Sequence, residues 1–349
     1  MRITDWIKYQ LLKHKLLDFS SITTFGWEVR LEGSSKCQLK CPLCLTGIGK
    51  HRNETVVGWG HLKFAHFQRF VDQHPQIRAI ELSNYGEIFL NPEIKDILAY
   101  AYHQGVTLTA GNGVNLNHVK EEVMEALVKY RFQRMKVSID GASEATYQIY
   151  RVGGSFEEVI RNIRRINYYK QYYGSKYPKM KWQFIIFGHN EHELPKARQM
   201  AQELGMTFKP KLNYKTKQYA VKDKAYVAQE SGLGAATVED YEKKTNQLYS
   251  PACLQLWTSP QINWDGKLLG CCVNFFGDFG NVFEQGLESC LQSERYQYAK
   301  QMVLGTKPAR EDIPCTHCKR YQRVKEMPFR ESLLQEFKKS SQSKKRIKQ

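Results

Sequence analysis

The chain has 349 residues, 42% hydrophobic and 25% charged, which excludes a disordered polymer and allows one large domain beside a smaller one. No apolar run reaches the roughly 18 residues that a membrane-spanning helix needs. A net charge of +17 suits a polyanion such as nucleic acid, an acidic membrane or a phosphorylated substrate, without choosing among them.

Residues 1–22 read as an N-terminal amphipathic helix, with Trp6, Ile7, Leu11, Leu12, Leu16 and Leu17 interleaved with Lys8, Lys13 and Lys15. That pattern suits packing on the main domain or contact with a membrane surface. From there to residue 215 strands and helices alternate. Strands are expected at 27–31, 78–83, 106–110, 134–139, 181–187 and 206–209, and helices at 62–72, 92–103, 119–130, 156–173 and 191–204. Alternation of this kind predicts an α/β fold with a parallel sheet and right-handed crossovers, open or curled into a barrel. Residues 216–250 are polar and read as a linker. A cysteine-rich region at 251–325 follows, with a hairpin of strands 261–264 and 268–273 around the turn Asp265-Gly266. The last segment, 326–349, is a basic tail in which six Lys or Arg follow residue 331.

The nine cysteines are an odd number, and the opening residues lack the basic–apolar–small pattern of a secretory signal. The expectation is a cytoplasmic protein whose thiols ligate metal rather than pair as disulfides. Cys37, Cys41 and Cys44 lie just beyond the first expected strand, where a parallel sheet presents its functional loops. Three thiolates at this spacing can hold three corners of a cubane iron–sulfur cluster and leave the fourth iron open. The competing reading of this spacing is a zinc site with His51 as fourth ligand. Farther on, Cys253, Cys271, Cys315 and Cys318 form a second group, for which a zinc ribbon is the competing reading. Cys272 competes with Cys271, since adjacent strand residues face opposite ways. Cys290 falls in an expected helix and reads as a core thiol. Basic residues among Tyr168, Tyr169, Tyr172, Tyr173, Tyr177 and Trp182 read as helix packing rather than a nucleic-acid platform. His103, His189 and His192 read as surface histidines.

The Cys-x3-Cys-x2-Cys motif after the first strand of a βα series resembles the signature of the radical SAM superfamily. That resemblance implies a partial six-stranded (β/α) barrel and a [4Fe–4S] cluster on Cys37, Cys41 and Cys44. Its open iron would chelate S-adenosylmethionine (SAM), and an electron from an electron donor such as flavodoxin or ferredoxin would release a 5′-deoxyadenosyl radical. Further segments resemble the family in the expected order. Ser83-Asn84-Tyr85-Gly86-Glu87 resembles its Gly-Gly-Glu motif, with Gly86 and Glu87 at the SAM amino group and Tyr85 in place of the first glycine. Asn112-Gly113 resembles a common Asn-Gly. Ser138 and Asp140 resemble the residues that reach the ribose hydroxyls. Arg151 resembles the arginine that pairs with the SAM carboxylate. Cys253, Gly266, Cys271 and the pair Cys315 and Cys318 resemble a SPASM/twitch extension, truncated to one auxiliary [4Fe–4S] cluster because Cys318 is the last cysteine. The implied substrate is a small molecule, glycan or peptide that loses a hydrogen atom. The alternative is an iron–sulfur or zinc-binding electron-transfer protein without SAM chemistry.

Overall fold

A computed structural model describes residues 28–214, 218–250 and 252–325. The expected N-terminal helix and basic tail lie outside the described residues. The rest divides into two compact units, 30–246 and a second comprising 28–29 and 247–325.

The larger unit is built on parallel strands. They are β1 (Glu28–Leu31, at the division), β2 (Ala79–Glu81), β3 (Thr107–Val114), β4 (Arg134–Ser138), β5 (Lys179–Ile186) and β6 (Thr207–Leu212). Their order is β6-β5-β4-β3-β2-β1, and the pairings from β2 through β6 are parallel. The sheet is open, a partial barrel. Helices cross between strands: α1 (Phe64–Gln73), α2 (Ile94–His103), α3 (Glu121–Lys129), α4 (Glu144–Tyr150), α5 (Phe156–Tyr172) and α6 (Leu194–Glu203). Alternate strand residues Ile80, Leu108, Ala110, Met135, Val137, Met180, Trp182, Phe184 and Ile186 are buried and form the apolar face of the sheet. The helices bring matching stripes. In α5 these are Phe156, Val159, Ile160, Ile163 and Ile166, and Ser155 starts the helix by accepting the Glu158 N–H at 3.2 Å.

Three expectations need correction. The third strand runs on past residue 110 and includes Asn112-Gly113, in a stretch where the register with β4 shifts between Ala110 and Val114. The Glu81 carboxylate and Ser83 hydroxyl take the Gly111 and Asn112 N–H groups, so the ladder's work there is done by side chains. Segment 216–250 is not a plain linker. It carries helices Lys224–Glu230 and Val238–Thr245, capped by Asp223 on the Tyr226 N–H (2.9 Å) and Thr237 on the Asp240 N–H (3.1 Å). Helix α4 had no place among the expected elements. It is short, and its Ser143 cap, accepting from the Thr146 N–H, is its clearest local signal.

In the smaller unit the expected hairpin is present in shortened form, with strand β7 (Gln261–Ile262) and an antiparallel bridge from Ile262 to Leu268. Its turn depends on Gly266, at φ +92°, where a Cβ would lie 2.3 Å from Asn281 Oδ1. Among the described residues no helix is long and apolar enough to cross a membrane.

Candidate active site

The cysteine loop follows β1 and folds into one cluster in which Cys41 is buried and Cys37 and Cys44 are half-buried. Cys37, Cys41 and Cys44 pack with Leu39, Leu43, Tyr150, Ile185, Phe187 and Tyr219. The loop is tied on several sides. Lys40 N–H reaches Val152 O at 2.8 Å, Cys44 N–H reaches Cys41 O at 3.1 Å, and a Cβ on Gly47 would lie 2.7 Å from both Cys41 N and O. Asn115 Nδ2 points at Cys37 Sγ (3.8 Å) and Arg151 Nη1 at Cys41 Sγ (3.9 Å). Burial pushes the Cys37 thiol up to about 12, with Glu87, Cys41 and Cys44 adding to it. Burial likewise raises Cys41, against the opposing pull of Arg151. Uncoordinated, these thiols keep their protons at neutral pH, and only a bound metal would displace them. His51 is not among the side chains of this group. Its Nδ1 bonds Thr55 Oγ1 at 2.8 Å and its ring meets Tyr85 edge-on at 5.0 Å.

The neighbouring loop, 83–87, is held by buried carboxylates that the sequence reading missed. Glu32 accepts the Tyr85 N–H (3.1 Å) and Gly86 N–H (3.3 Å). Burial raises Glu32 to about 8 despite those amides. Glu81 holds the Ser83 and Thr109 hydroxyls, both at 2.6 Å. A carboxylate inside an apolar strand, as in Leu31-Glu32 and Ile80-Glu81-Leu82, is the signal that could have found them. Glu87 is itself buried, and its oxygens take the Asn115 N–H (2.5 Å) and Phe89 N–H (3.2 Å). It therefore braces the loop beside Cys37. Burial brings it up to about 7, opposed by those same amides. Gly86 sits against the cysteine loop so closely that a Cβ would lie 2.4 Å from Ser34 O and 2.5 Å from Lys36 O.

Ser138 ends β4, its hydroxyl 3.3 Å from Gln183 Nε2, which also reaches Asn112 O at 3.4 Å. Asn112 Nδ2 bonds Asn84 Oδ1. Asp140 and Arg151, expected at separate parts of one ligand, are paired with each other, Arg151 Nε to Asp140 Oδ2 at 2.6 Å. The other Asp140 oxygen takes the Ile185 N–H at 2.7 Å. Nearby, both ring nitrogens of His189 are buried with no hydrogen-bond partner, and the ring stacks on Phe187 at 5.3 Å. Burial lowers its basicity. An orphaned imidazole beside a thiol-rich pocket fits a polar ligand seated there.

The second cysteine group lies in the smaller unit. Cys253 and Cys271 are buried, and Cys272, Cys315 and Cys318 half-buried. Cys318 N–H turns back onto Cys315 O at 3.0 Å. Burial raises Cys315, with Cys271 and Cys318 next in effect, and Cys253 responds to burial and then to Cys315 and Cys318. Cys290 stands apart, its Sγ on Gln285 Oε1 at 3.5 Å.

Residues 253–319 match the SPASM family, an iron–sulfur cluster-binding domain. The fold resembles SuiB of Streptococcus suis bound to S-adenosylmethionine, with TM-score 0.61, 16% identity, 89% of this chain and 73% of that one covered. It also resembles anSMEcpe with bound AdoMet, with TM-score 0.58, 13% identity and 85% and 88% covered. The chain shares the fold of these two proteins, and its residues 253–319 match an iron–sulfur cluster-binding domain. An AdoMet-dependent heme synthase of Methanosarcina barkeri is 26% identical over 183 residues, 52% of this chain. The match spans about half of that relative, 47% of its length. In this chain Arg151 links Asp140, just past β4, to Cys41 of the cysteine loop.

Proposed function

We propose that this protein is a radical SAM enzyme with a [4Fe–4S] cluster on Cys37, Cys41 and Cys44 and one auxiliary [4Fe–4S] cluster on Cys253, Cys271, Cys315 and Cys318. The observation that carries the reading is the packing of Cys37, Cys41 and Cys44 in one cluster, with Arg151 on Cys41 and the orphaned His189 against Phe187. Three thiols leave a cubane one position short, and that shortage is what a chelating cofactor requires. When bound, the cluster and SAM supply a one-electron cleavage that yields a 5′-deoxyadenosyl radical.

The chain's own residues do the holding. Asp140 fixes the Arg151 guanidinium, which keeps its remaining N–H groups for a carboxylate. Gly86 brings the 83–87 backbone against the cysteine loop, and Glu87 braces that contact through Asn115 and Phe89. Ser138 and Asn112 offer a hydroxyl and an amide for ribose. Tyr150, Phe187 and Tyr219 exclude water from the thiols. The substrate loses a hydrogen atom from carbon. The class is a sugar or cyclitol, a peptide or another natural product, and reduction comes from a donor such as flavodoxin or ferredoxin.

Anaerobic reconstitution followed by reduction in the presence of SAM tests this. The expected result is bound iron and sulfide, 5′-deoxyadenosine formation, and loss of both in Cys41→Ala at the first site. A protein that takes up zinc, binds no iron and yields no 5′-deoxyadenosine would sink it.

A further inference from the structure

The inner face of the sheet carries a charge that the cysteine loop does not use. Lys136 pairs across strands with Lys181, Gln183 with Lys209, and Ile185 with Lys211. Cross-strand partners and alternate residues share a face, so these four lysines stand on the same side as Ser138 and Gln183. Neighbouring strands are about 4.8 Å apart and alternate residues about 6.6 Å, close enough for long side chains to converge. Lys181 and Lys209 are exposed, whereas Lys136 and Lys211 are half-buried. Lys136 is drawn down to about 8 by burial and then by Lys211, with Glu81 opposing and Lys181 and Lys209 adding.

Glu81 is the one carboxylate at the paired positions of this face from β2 to β6. Its oxygens hold Ser83, Thr109 and Gly111. Lys136, Lys181 and Lys209 form no ion pair among the described residues. Like charges placed directly opposite destabilise a sheet. The apolar packing of the fold lies on the other face, so it does not require them.

We propose that Lys136, Lys181, Lys209 and Lys211 bind a phosphate or pyrophosphate group of the substrate. The assignment of that anion to the substrate rests on the radical SAM reading. Several ammonium groups converging from three strands suit a compact group with more than one negative charge, whereas a lone carboxylate suits a planar arginine fork. The same-face positions beside the lysines hold Arg134, Lys179, Ser138, Gln183, Ile185 and Thr207 rather than aromatic rings, which disfavours stacked nucleobases. Lys209 is level with Gln183 and Ser138, and Lys136 is two residues before Ser138. An anion held there anchors one end of a molecule whose other end reaches the strand ends, where Asn112 and the cysteine loop lie.

Inorganic pyrophosphate is the probe, titrated calorimetrically into the reconstituted full-length protein, with SAM affinity measured on the same samples. Wild-type protein should bind pyrophosphate, more weakly at about 0.3 M salt. Lys136→Gln/Lys209→Gln should weaken it by roughly tenfold or more, as for lost charge-assisted contacts. Arg161→Gln/Arg164→Gln, on the exposed side of α5, should change it by less than about twofold, and SAM affinity should hold in both variants. Absence of pyrophosphate binding, or equal weakening in the two variants, overturns the proposal. Binding of poly-glutamate in place of pyrophosphate overturns it in favour of an acidic peptide. Joint loss of SAM and pyrophosphate binding in the lysine variant overturns it by assigning the amines to the SAM carboxylate. A wild-type protein that binds pyrophosphate but no SAM instead supports the anion site and defeats the radical SAM reading.

Discussion

Asp140 is wholly buried and uses one oxygen on the Ile185 N–H and the other on Arg151, so one side chain fixes both the end of β5 and the guanidinium beside Cys41. Arg151→Lys keeps the charge but cannot bridge Asp140 and a second acceptor in one plane. We expect SAM binding to weaken by roughly tenfold, read by equilibrium dialysis, in line with one lost charge-assisted contact of about 1–3 kcal/mol. An unchanged affinity would count against the carboxylate role. Glu32 and Glu87 supply a second test at this scale. Burial raises them from 4.5 to about 8 and about 7, so both are held as acids by the folded chain while the unfolded chain ionises them. Their stabilising contribution is complete below about pH 4.5 and is lost as pH rises through about 7 and 8. The urea midpoint of the metal-free protein should therefore carry a downward component between pH 5 and 8. Glu32→Gln should flatten that slope; an identical slope in the variant would show that Glu32 titrates normally.

At the scale of elements, the close approach of loop 83–87 to the cysteine loop runs through Gly86. Gly86→Ala forces backbone oxygens of Ser34 and Lys36 away, a shift that costs about 1–3 kcal/mol in a well-packed site. The expected outcome is loss of the cysteine-loop cluster with retention of the auxiliary one, counted as iron per chain; full iron loading would mean the loop yields without cost. The alternation of strands and helices from β1 to β6 was legible because the strands carry buried apolar residues with helical stripes behind them. Less legible were the features that side chains impose on the backbone. The irregular part of β3 is set by Glu81 and Ser83, residues that lie some thirty positions earlier in the chain. Ser138, Asp140 and Arg151 were singled out by resemblance, but the Asp140–Arg151 bond was not, because an ion pair across eleven residues leaves no periodic trace. The helices in 216–250 were hidden by polar composition, and only their Asp223 and Thr237 caps marked them.

For the whole molecule, the two proposed clusters predict about eight iron atoms per chain, and replacing Cys37, Cys41 and Cys44 together should leave about four. In the second unit, Cys271 is buried while Cys272 is half-buried with its N–H on Gln255 Oε1 at 2.6 Å. Cys271→Ala should therefore abolish the auxiliary iron and Cys272→Ala should spare it; the reverse result would reassign the ligand. Back in the larger unit, Thr46, just past Cys44, donates its hydroxyl to Tyr85 O at 2.6 Å, and Glu87 N–H reaches Lys36 O at 2.7 Å. The thiol loop and the motif loop thus share two struts, and whatever orders one must order the other. By reciprocity, iron loading and SAM affinity are then linked equilibria, each raising the other by the same factor. Hydrogen exchange at the amides of Tyr85, Gly86 and Glu87 should slow on iron loading before any SAM is added, so that the metal prepares the nucleoside's seat in advance.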